Sequence, residues 1–163
     1  MKKKIAAITF CLLAIATHLY YVFRTVEGVR VYETVLGTQS IIEQYRYHRA
    51  LKSLVAELDI DALKYLLSAD CGGAAGCYDH GTTLVEVLLK AGDRPFSALV
   101  FKLDKQESEL LYSYFDAGYE YGGFTDSPDW TTFKKHFPLT FEALGKRSDG
   151  ARVGSAETPE SDR

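Results

Sequence analysis

The sequence lacks the short motifs on which the common classes of enzyme depend. It contains no G-x-S-x-G nucleophile motif, no H-E-x-x-H zinc motif and no phosphate-binding glycine loop. Its glutamates show no pairing typical of glycoside hydrolysis. His80 and Asp79 could act as acid and base, but two neighbouring residues in a turn rarely serve in this way. We therefore expect no enzymatic activity and no cofactor.

Cysteine is scarce, and its spacing argues against a redox centre. Of three cysteines, Cys71 and Cys77 flank the glycine- and alanine-rich stretch C-G-G-A-A-G-C. A thioredoxin-like centre needs C-x-x-C, which is absent, and no second C-x2-C pair supports a zinc site with Asp79 and His80. In an oxidising compartment this pair predicts a disulfide that closes a short loop. Free thiols and a metal site are the alternatives.

Charge is absent from Ile5 to Phe23, and three lysines precede this apolar run. That order is typical of a secretory signal or a signal anchor, and the run approaches the about 20 residues that span a bilayer. The lysines would hold the N-terminus in the cytoplasm. The small-residue pattern Ala14-Ile15-Ala16 would instead permit cleavage after Ala16. Both interpretations export the chain beyond Arg24. In a bacterium it would be anchored in the inner membrane facing the periplasm, or released there.

Aromatic residues are missing from the end of the chain. Residues 146–163 contain one valine as their only large aliphatic residue. Such a segment buries too little apolar surface to offset its ordering entropy, which predicts a disordered tail. The remaining divisions are a signal segment at 1–24, a helical stalk or first helix at 25–58 and a helical domain at 59–145.

Period-two alternation is also missing, so we expect a mainly-α chain, in which the short apolar stretch 96–103 is a buried helix or, as the alternative, a strand. Apolar residues at steps of three and four predict helices over 38–58, 59–70, 82–95, 96–103, 106–118 and 126–145. Asp59, a threonine at the start of the 82–95 stretch and Ser127 are the expected N-caps. Gly118 is expected to end its helix, and Pro138 to interrupt the last one.

Three of these predicted helices end in similar sequences: YLLSAD (65–70), VLLKAGD (87–93) and SYFDAGY (113–119). They resemble the close of the second helix in ankyrin repeats. The T-P-L-H motif of that family is not present, and the spacings of 22 and 26 residues between these ends are shorter than the family's about 33. The resemblance implies a stack of helix hairpins that presents a concave face and turn loops to a protein partner. An irregular helical bundle is the alternative.

Basic residues are few between Glu57 and Asp129, where fourteen acids against five bases give a net charge of −9. This balance disfavours nucleic acid and favours a basic protein partner. It is equally consistent with acids that only cap helices and solvate the surface. In the aromatic stretch 112–124 we expect Tyr119 and Tyr121 to be exposed at a turn. The candidate partner-binding residues are Asp70, Asp79, His80, Asp93, Arg94, Tyr119, Glu120 and Tyr121.

Two functions fit these features. The first is an envelope protein, held in the membrane by residues 5–23, that binds a protein partner through an acidic helical surface as an adaptor or immunity-type protein. The second is a structural or assembly membrane protein whose helix from Thr38 takes part in oligomerisation.

Overall fold

The computed structural model describes residues 24–37, 39–124 and 129–149, with side chains up to residue 145. The described residues form a two-stranded sheet and eight helices, which confirms the prediction of a mainly-α chain. The strands are β1 (Thr25–Val26) and β2 (Val29–Arg30), and the helices are α1 (Glu33–Leu36), α2 (Ile41–Glu57), α3 (Ile60–Ser68), α4 (Ala74–Ala91), α5 (Asp93–Val100), α6 (Lys105–Tyr121), α7 (Trp130–His136) and α8 (Pro138–Asp149).

The apolar run at 5–23, residues 150–163 of the predicted tail and the predicted cap Ser127 lie outside the described residues. The tail was predicted to begin at residue 146, but α8 continues to Asp149, so the first four of its positions are helical. Within the described ranges, no helix combines the length and the apolar character that crossing a bilayer requires.

The short sheet is an element that the sequence patterns did not indicate. β1 and β2 pair antiparallel across a two-residue turn in which Glu27 and Gly28 both have positive φ, 51° and 80°. Positive φ at both turn residues matches the twist of a tight hairpin. Two residues per strand are too few to produce a readable alternation. The backbone N–H of Arg30 donates to Glu86 at 2.7 Å, which fastens the hairpin to α4.

The starts of α2 and α3 follow from their capping residues. Ser40 and Glu43 form a reciprocal capping box at the start of α2. Asp59 accepts a hydrogen bond from the backbone N–H of Asp61, as expected for the N-cap of α3. Leu58, between the two helices, adopts a left-handed conformation that ends α2 and changes the direction of the chain. The helices predicted over 38–58 and 59–70 are therefore confirmed within one turn.

The start of α4 was predicted wrongly. The helix begins at Ala74 rather than near residue 82, so Cys77, Asp79 and His80 are helical and do not lie in a loop. The hydroxyl of Thr82 donates to the carbonyl oxygens of Tyr78 and Gly118 instead of capping a helix. Glycine, alanine and threonine have a weak or mixed intrinsic preference here, and tertiary packing decides the conformation.

Helix α6 continues through Gly118, where the sequence predicted its end. Gly118 lies against Gly81 of α4, and a Cβ on either glycine would overlap the backbone of the other helix. The stacking of Tyr78 on Tyr121, next to this crossing, indicates that the two helices run antiparallel. Gly118 therefore serves as a contact position, and α6 ends at Gly122.

Helix α4 lies at the centre of the molecule. It packs most extensively against α6, and it also contacts α1, α2, α5 and β2. Both α3 and α4 contact α2 on one side and α6 on the other, while α8 packs on α5 and α6. The fully buried core residues include Tyr47, Leu51, Leu54, Leu63, Leu66, Leu84, Leu88, Phe96, Leu103, Leu111 and Phe115.

Candidate functional site

The two cysteines join the segment before α4 to its first turn. Cys71 and Cys77 form a disulfide with their Cα atoms 4.9 Å apart. Gly72 and Gly73, with φ of 74° and 117°, make the turn between them. The bond therefore holds the start of a helix, and does not close an independent loop. Within the part of the chain that the structure describes, no group of three metal-ligating side chains is placed to hold an ion.

His80 was predicted wrongly as a partner-binding residue. It is fully buried, and its Nδ1 lies 2.8 Å from the hydroxyl of Tyr47. The ring edge meets the ring of Tyr114 at a centroid distance of 4.8 Å. Burial lowers the pKa of His80 to about 4, and the nearby carbonyl of Leu66 offsets this only in part. The early start of α4 turns His80 inward, so it is a core residue.

Asp70 and Asp79 have local structural partners. One carboxylate oxygen of Asp70 accepts from the backbone N–H of Gly72 at 2.9 Å, although the residue is exposed. Asp79 accepts from the hydroxyl of Thr34 and so connects α4 to α1. Both carboxylates stabilise the surroundings of the disulfide, and Asp70 is exposed while Asp79 is half-buried.

Asp93 and Arg94 lie away from the other candidates. They begin α5, at the opposite end of α4 from Cys77, roughly 20 Å along a helix of this length. The two carboxylate oxygens of Asp93 accept from the backbone N–H groups of Leu139 and Thr140 at 3.0 and 2.8 Å. Asp93 thus caps α8, and Arg94 beside it is exposed.

Tyr121 and Tyr119 differ in exposure, although both lie in the last turn of α6. Tyr121 is 57% exposed, as expected, and stacks on Tyr78 at a centroid distance of 4.4 Å. The prediction that Tyr119 is exposed is wrong, since it is 9% exposed. Its ring stacks on Phe124 at 5.5 Å and packs against Phe133 at 4.5 Å. The turn after α6 returns the chain over Tyr119 and covers it.

An open cavity of about 410 Å³ lies beside Tyr119, and we name it the α6-end pocket. Its lining comprises Asp116, Tyr119, Glu120, Gly123, Phe124, Asp129 and Trp130. Phe124 and Trp130 are half-buried beside it, while the ring of Tyr119 lies mostly beneath them, with its centroid 5.3 Å from that of Trp130. The three carboxylate residues are exposed at its edge.

The pocket is negatively charged at neutral pH. Hydrogen bonds from the side chain and backbone N–H of Thr132, the former at 2.7 Å, lower the pKa of Asp129. The charge of Glu120 raises the pKa of the neighbouring Tyr121, so that phenol stays neutral. The ion pairs described in the structure lie outside the pocket: Arg24–Glu33, Arg30–Glu86, Lys64–Glu107 and Lys105–Glu109.

Aromatic faces surrounded by carboxylates are the chemistry that binds an organic cation. The face of an aromatic ring attracts Lys or Arg electrostatically, and the carboxylates add charge and hydrogen-bond acceptors. The protein itself shows this attraction, since the Nζ of Lys134 stands 5.5 Å from the centroid of the Trp130 ring. The arrangement suits a lysine or arginine side chain entering from outside.

The candidates chosen from the sequence include two of the seven residues that line this pocket, Tyr119 and Glu120. Asp116 lies on the same helix face, three and four residues before them, but was not chosen. Trp130 begins α7 and Asp129 caps that helix, and no spacing rule connects either residue to α6. Comparisons with protein-family models, curated proteins and solved structures found no match to this chain.

Proposed function

We propose that this protein is a membrane-anchored, protein-binding module of the cell envelope, and that it binds a basic segment of its partner in the α6-end pocket. The observation that carries the proposal is the meeting of Tyr119, Phe124 and Trp130 with three exposed carboxylates around one cavity. A lysine or arginine side chain is the group that such a pocket binds best.

The remaining surface of this region supports a protein partner. Tyr121 follows the pocket residue Glu120 in the chain, stacks on Tyr78 and is more than half exposed. Tyrosine provides large contact area with little loss of conformational entropy, which is why it is common at protein interfaces. The ankyrin resemblance implies binding through turns that follow helices of this kind, and the pocket is next to such a turn.

Export would place the pocket on the outer face of the membrane, where it meets secreted or envelope proteins. Small exported proteins of this kind resemble immunity proteins that neutralise secreted toxins, and this analogy rests on overall architecture alone. An adaptor that holds a basic envelope protein uses the same surface. Either role needs binding and no chemistry at the pocket.

The single tryptophan of the chain provides a direct test, since Trp130 lines the pocket. We expect a short lysine- and arginine-rich peptide to change the emission of Trp130 saturably, and a glutamate-rich peptide of equal length to leave it unchanged. The change should weaken as salt shortens the Debye length from about 10 Å at 0.1 M to 3 Å at 1 M.

A charge-reversed variant, Asp116→Lys with Glu120→Lys, should abolish this response because it replaces two attractive charges by repulsive ones. The matched control is Glu57→Lys, an exposed acid at the end of α2. An unchanged response in the double variant, or an equal loss in the control, would contradict the proposal.

A further inference from the structure

Helix α2 presents large apolar side chains to solvent on the side opposite its buried face. It buries Tyr47, Leu51 and Leu54 in the core. In contrast, Ile41 is 83% exposed and Tyr45 is 69% exposed. Ile42, between them, is 65% exposed. Clustered apolar exposure of this size on an ordered helix marks a contact surface.

Ile41 and Tyr45 border a groove of about 920 Å³, which we name the α2 groove, and Ile42 lies outside its lining. Its apolar lining comes from Val26, Leu36, Ile41 and Tyr45, and Arg49 and Lys52 line it further along α2. The groove is therefore apolar at the start of the helix and basic towards its end.

The groove lies close to the point where the chain leaves its apolar run. Thr25, which lines the groove, is two residues beyond Phe23, the end of the uncharged run in the sequence. Two extended residues span at most roughly 7 Å. A bilayer crossed by residues 5–23 would therefore have its headgroups within reach of the groove.

We propose that the α2 groove lies against the membrane surface, with Ile41, Ile42 and Tyr45 entering the headgroup layer and Arg49 and Lys52 meeting anionic lipid phosphates. This inference rests on the anchored form of the proposed function. Helices that lie in the interface plane bury an apolar face and carry lysines and arginines on their polar face, and the solvent-facing side of α2 offers both kinds of side chain.

The charges on this side of the molecule complement an anionic surface. Arg46, Arg49 and Lys52 are exposed along α2. The exposed acids of this part of the chain are Glu27, which lines the groove, Glu33, Glu43 and Glu57 at the far end of α2. Glu43 is engaged in the capping box at the start of the helix. The later part of the chain is strongly acidic, with a net charge of −9 over residues 57–129, and would be repelled.

Docking of the α2 groove on the membrane would also turn the α6-end pocket away from the bilayer. Helices α3 and α4 contact both α2 and α6, so they separate the groove from the helix that carries the pocket. A protein docked by its α2 groove would thus present its acidic pocket away from the lipid. A second copy is a poorer occupant, because a symmetric pairing through α2 would bring the three cations of each copy to one interface.

The test uses the full chain reconstituted in vesicles. An environment-sensitive thiol fluorophore is attached at Tyr45→Cys in a Cys11→Ser background, with the Cys71–Cys77 disulfide left intact. The matched control carries the fluorophore at Phe101→Cys, an exposed aromatic position after α5. Vesicles contain either phosphatidylcholine alone or phosphatidylcholine with phosphatidylglycerol. Vesicle flotation reports separately whether the chain is anchored.

In anionic vesicles we expect the fluorophore at position 45 to shift to shorter wavelength and to be quenched by lipid-borne quenchers, and the one at position 101 to stay in water. Replacing Arg49 and Lys52 by glutamine should weaken docking by about fivefold for each charge removed. Both residues are exposed, so circular dichroism should show an unchanged fold.

The other outcomes overturn the inference in distinguishable ways. A chain that floats with the vesicles while position 45 stays in water leaves the anchor intact and removes the docking. If the fluorophore at position 45 becomes more shielded from water as the protein-to-lipid ratio rises, the groove binds a second copy. If that fluorophore is equally shielded from water in both vesicle types, the groove is occupied by the chain's own apolar run. A chain that does not float removes the anchor together with the docking.

Discussion

At the scale of single residues, His80 shows how a polar side chain contributes to this core. Its ring lies between Tyr47 and Tyr114, and its Nε2 is buried without a hydrogen bond among the described residues. Protonation would place a charge in this enclosed position. The folded state therefore requires the neutral imidazole, which makes the residue a source of acid sensitivity.

The pH dependence of stability follows from the lowered pKa of His80. The folded protein holds it at about 4, against 6.5 for an unperturbed histidine. The unfolded chain therefore binds more protons between these values, so the contribution is complete above pH 6.5 and is lost as the pH falls towards 4. The difference corresponds to about 3 kcal/mol.

The variant His80→Gln should reduce this dependence, because glutamine keeps a hydrogen-bonding group but does not titrate. Denaturant unfolding at pH 7 and pH 4.5 would measure it. The drop in unfolding free energy between these pH values should be smaller in the variant than in the natural chain. Equal drops would show that His80 is accessible to protons in the folded state.

At the scale of secondary-structure elements, the antiparallel pair α4 and α6 depends on two glycines that allow their backbones to approach. The variant Gly118→Ala should lower the free energy of unfolding by about 1–3 kcal/mol, since its Cβ would overlap Gly81. The control Gly145→Ala, in α8, should raise it by about 0.5–1 kcal/mol, because a Cβ there meets nothing within 4 Å. Thermal or urea unfolding of both variants compares the two positions, and equal effects would contradict the close contact.

These elements also show what the sequence could predict. The caps at Ser40 and Asp59 act within one turn, so the starts of α2 and α3 can be inferred from the local sequence. Gly118 has the local preference of a helix end, and only its contact with Gly81 reveals why the helix continues. Of the two caps, Asp59 was predicted and Ser40 was not named, while the continuation of α6 depends on a distant contact and was missed.

The candidate site also combines residues that the local sequence indicates with residues that only distant contacts bring together. Tyr119 and Glu120 were selected from the composition of one segment. Trp130 reaches the pocket through the packing of Phe133 on Tyr119, which joins α7 to α6. The burial of His80 likewise depends on where α4 begins, and the glycine-rich stretch before it gives no local indication of that start.

At the scale of the whole molecule, the prediction concerns topology. The three lysines before the apolar run should keep the N-terminus in the cytoplasm and export the rest. Alkaline phosphatase fused after residue 60 should be active in a bacterial host, because this reporter folds only outside the cytoplasm. A reporter that requires the cytoplasm, fused at the same position, is the control. Activity of that second reporter alone would contradict export and, with it, the oxidising environment of the disulfide.

The closeness of Cys71 and Cys77 along the chain has a consequence for the order of events during export. Only six positions separate the two cysteines, so their meeting requires neither α6 nor any later helix. If the exported part of the chain crosses in order from Arg24 onward into an oxidising compartment, this bond can therefore form before residues 105–121 have crossed. The first turn of α4 would then be fixed in advance, ready to receive α6 when it arrives.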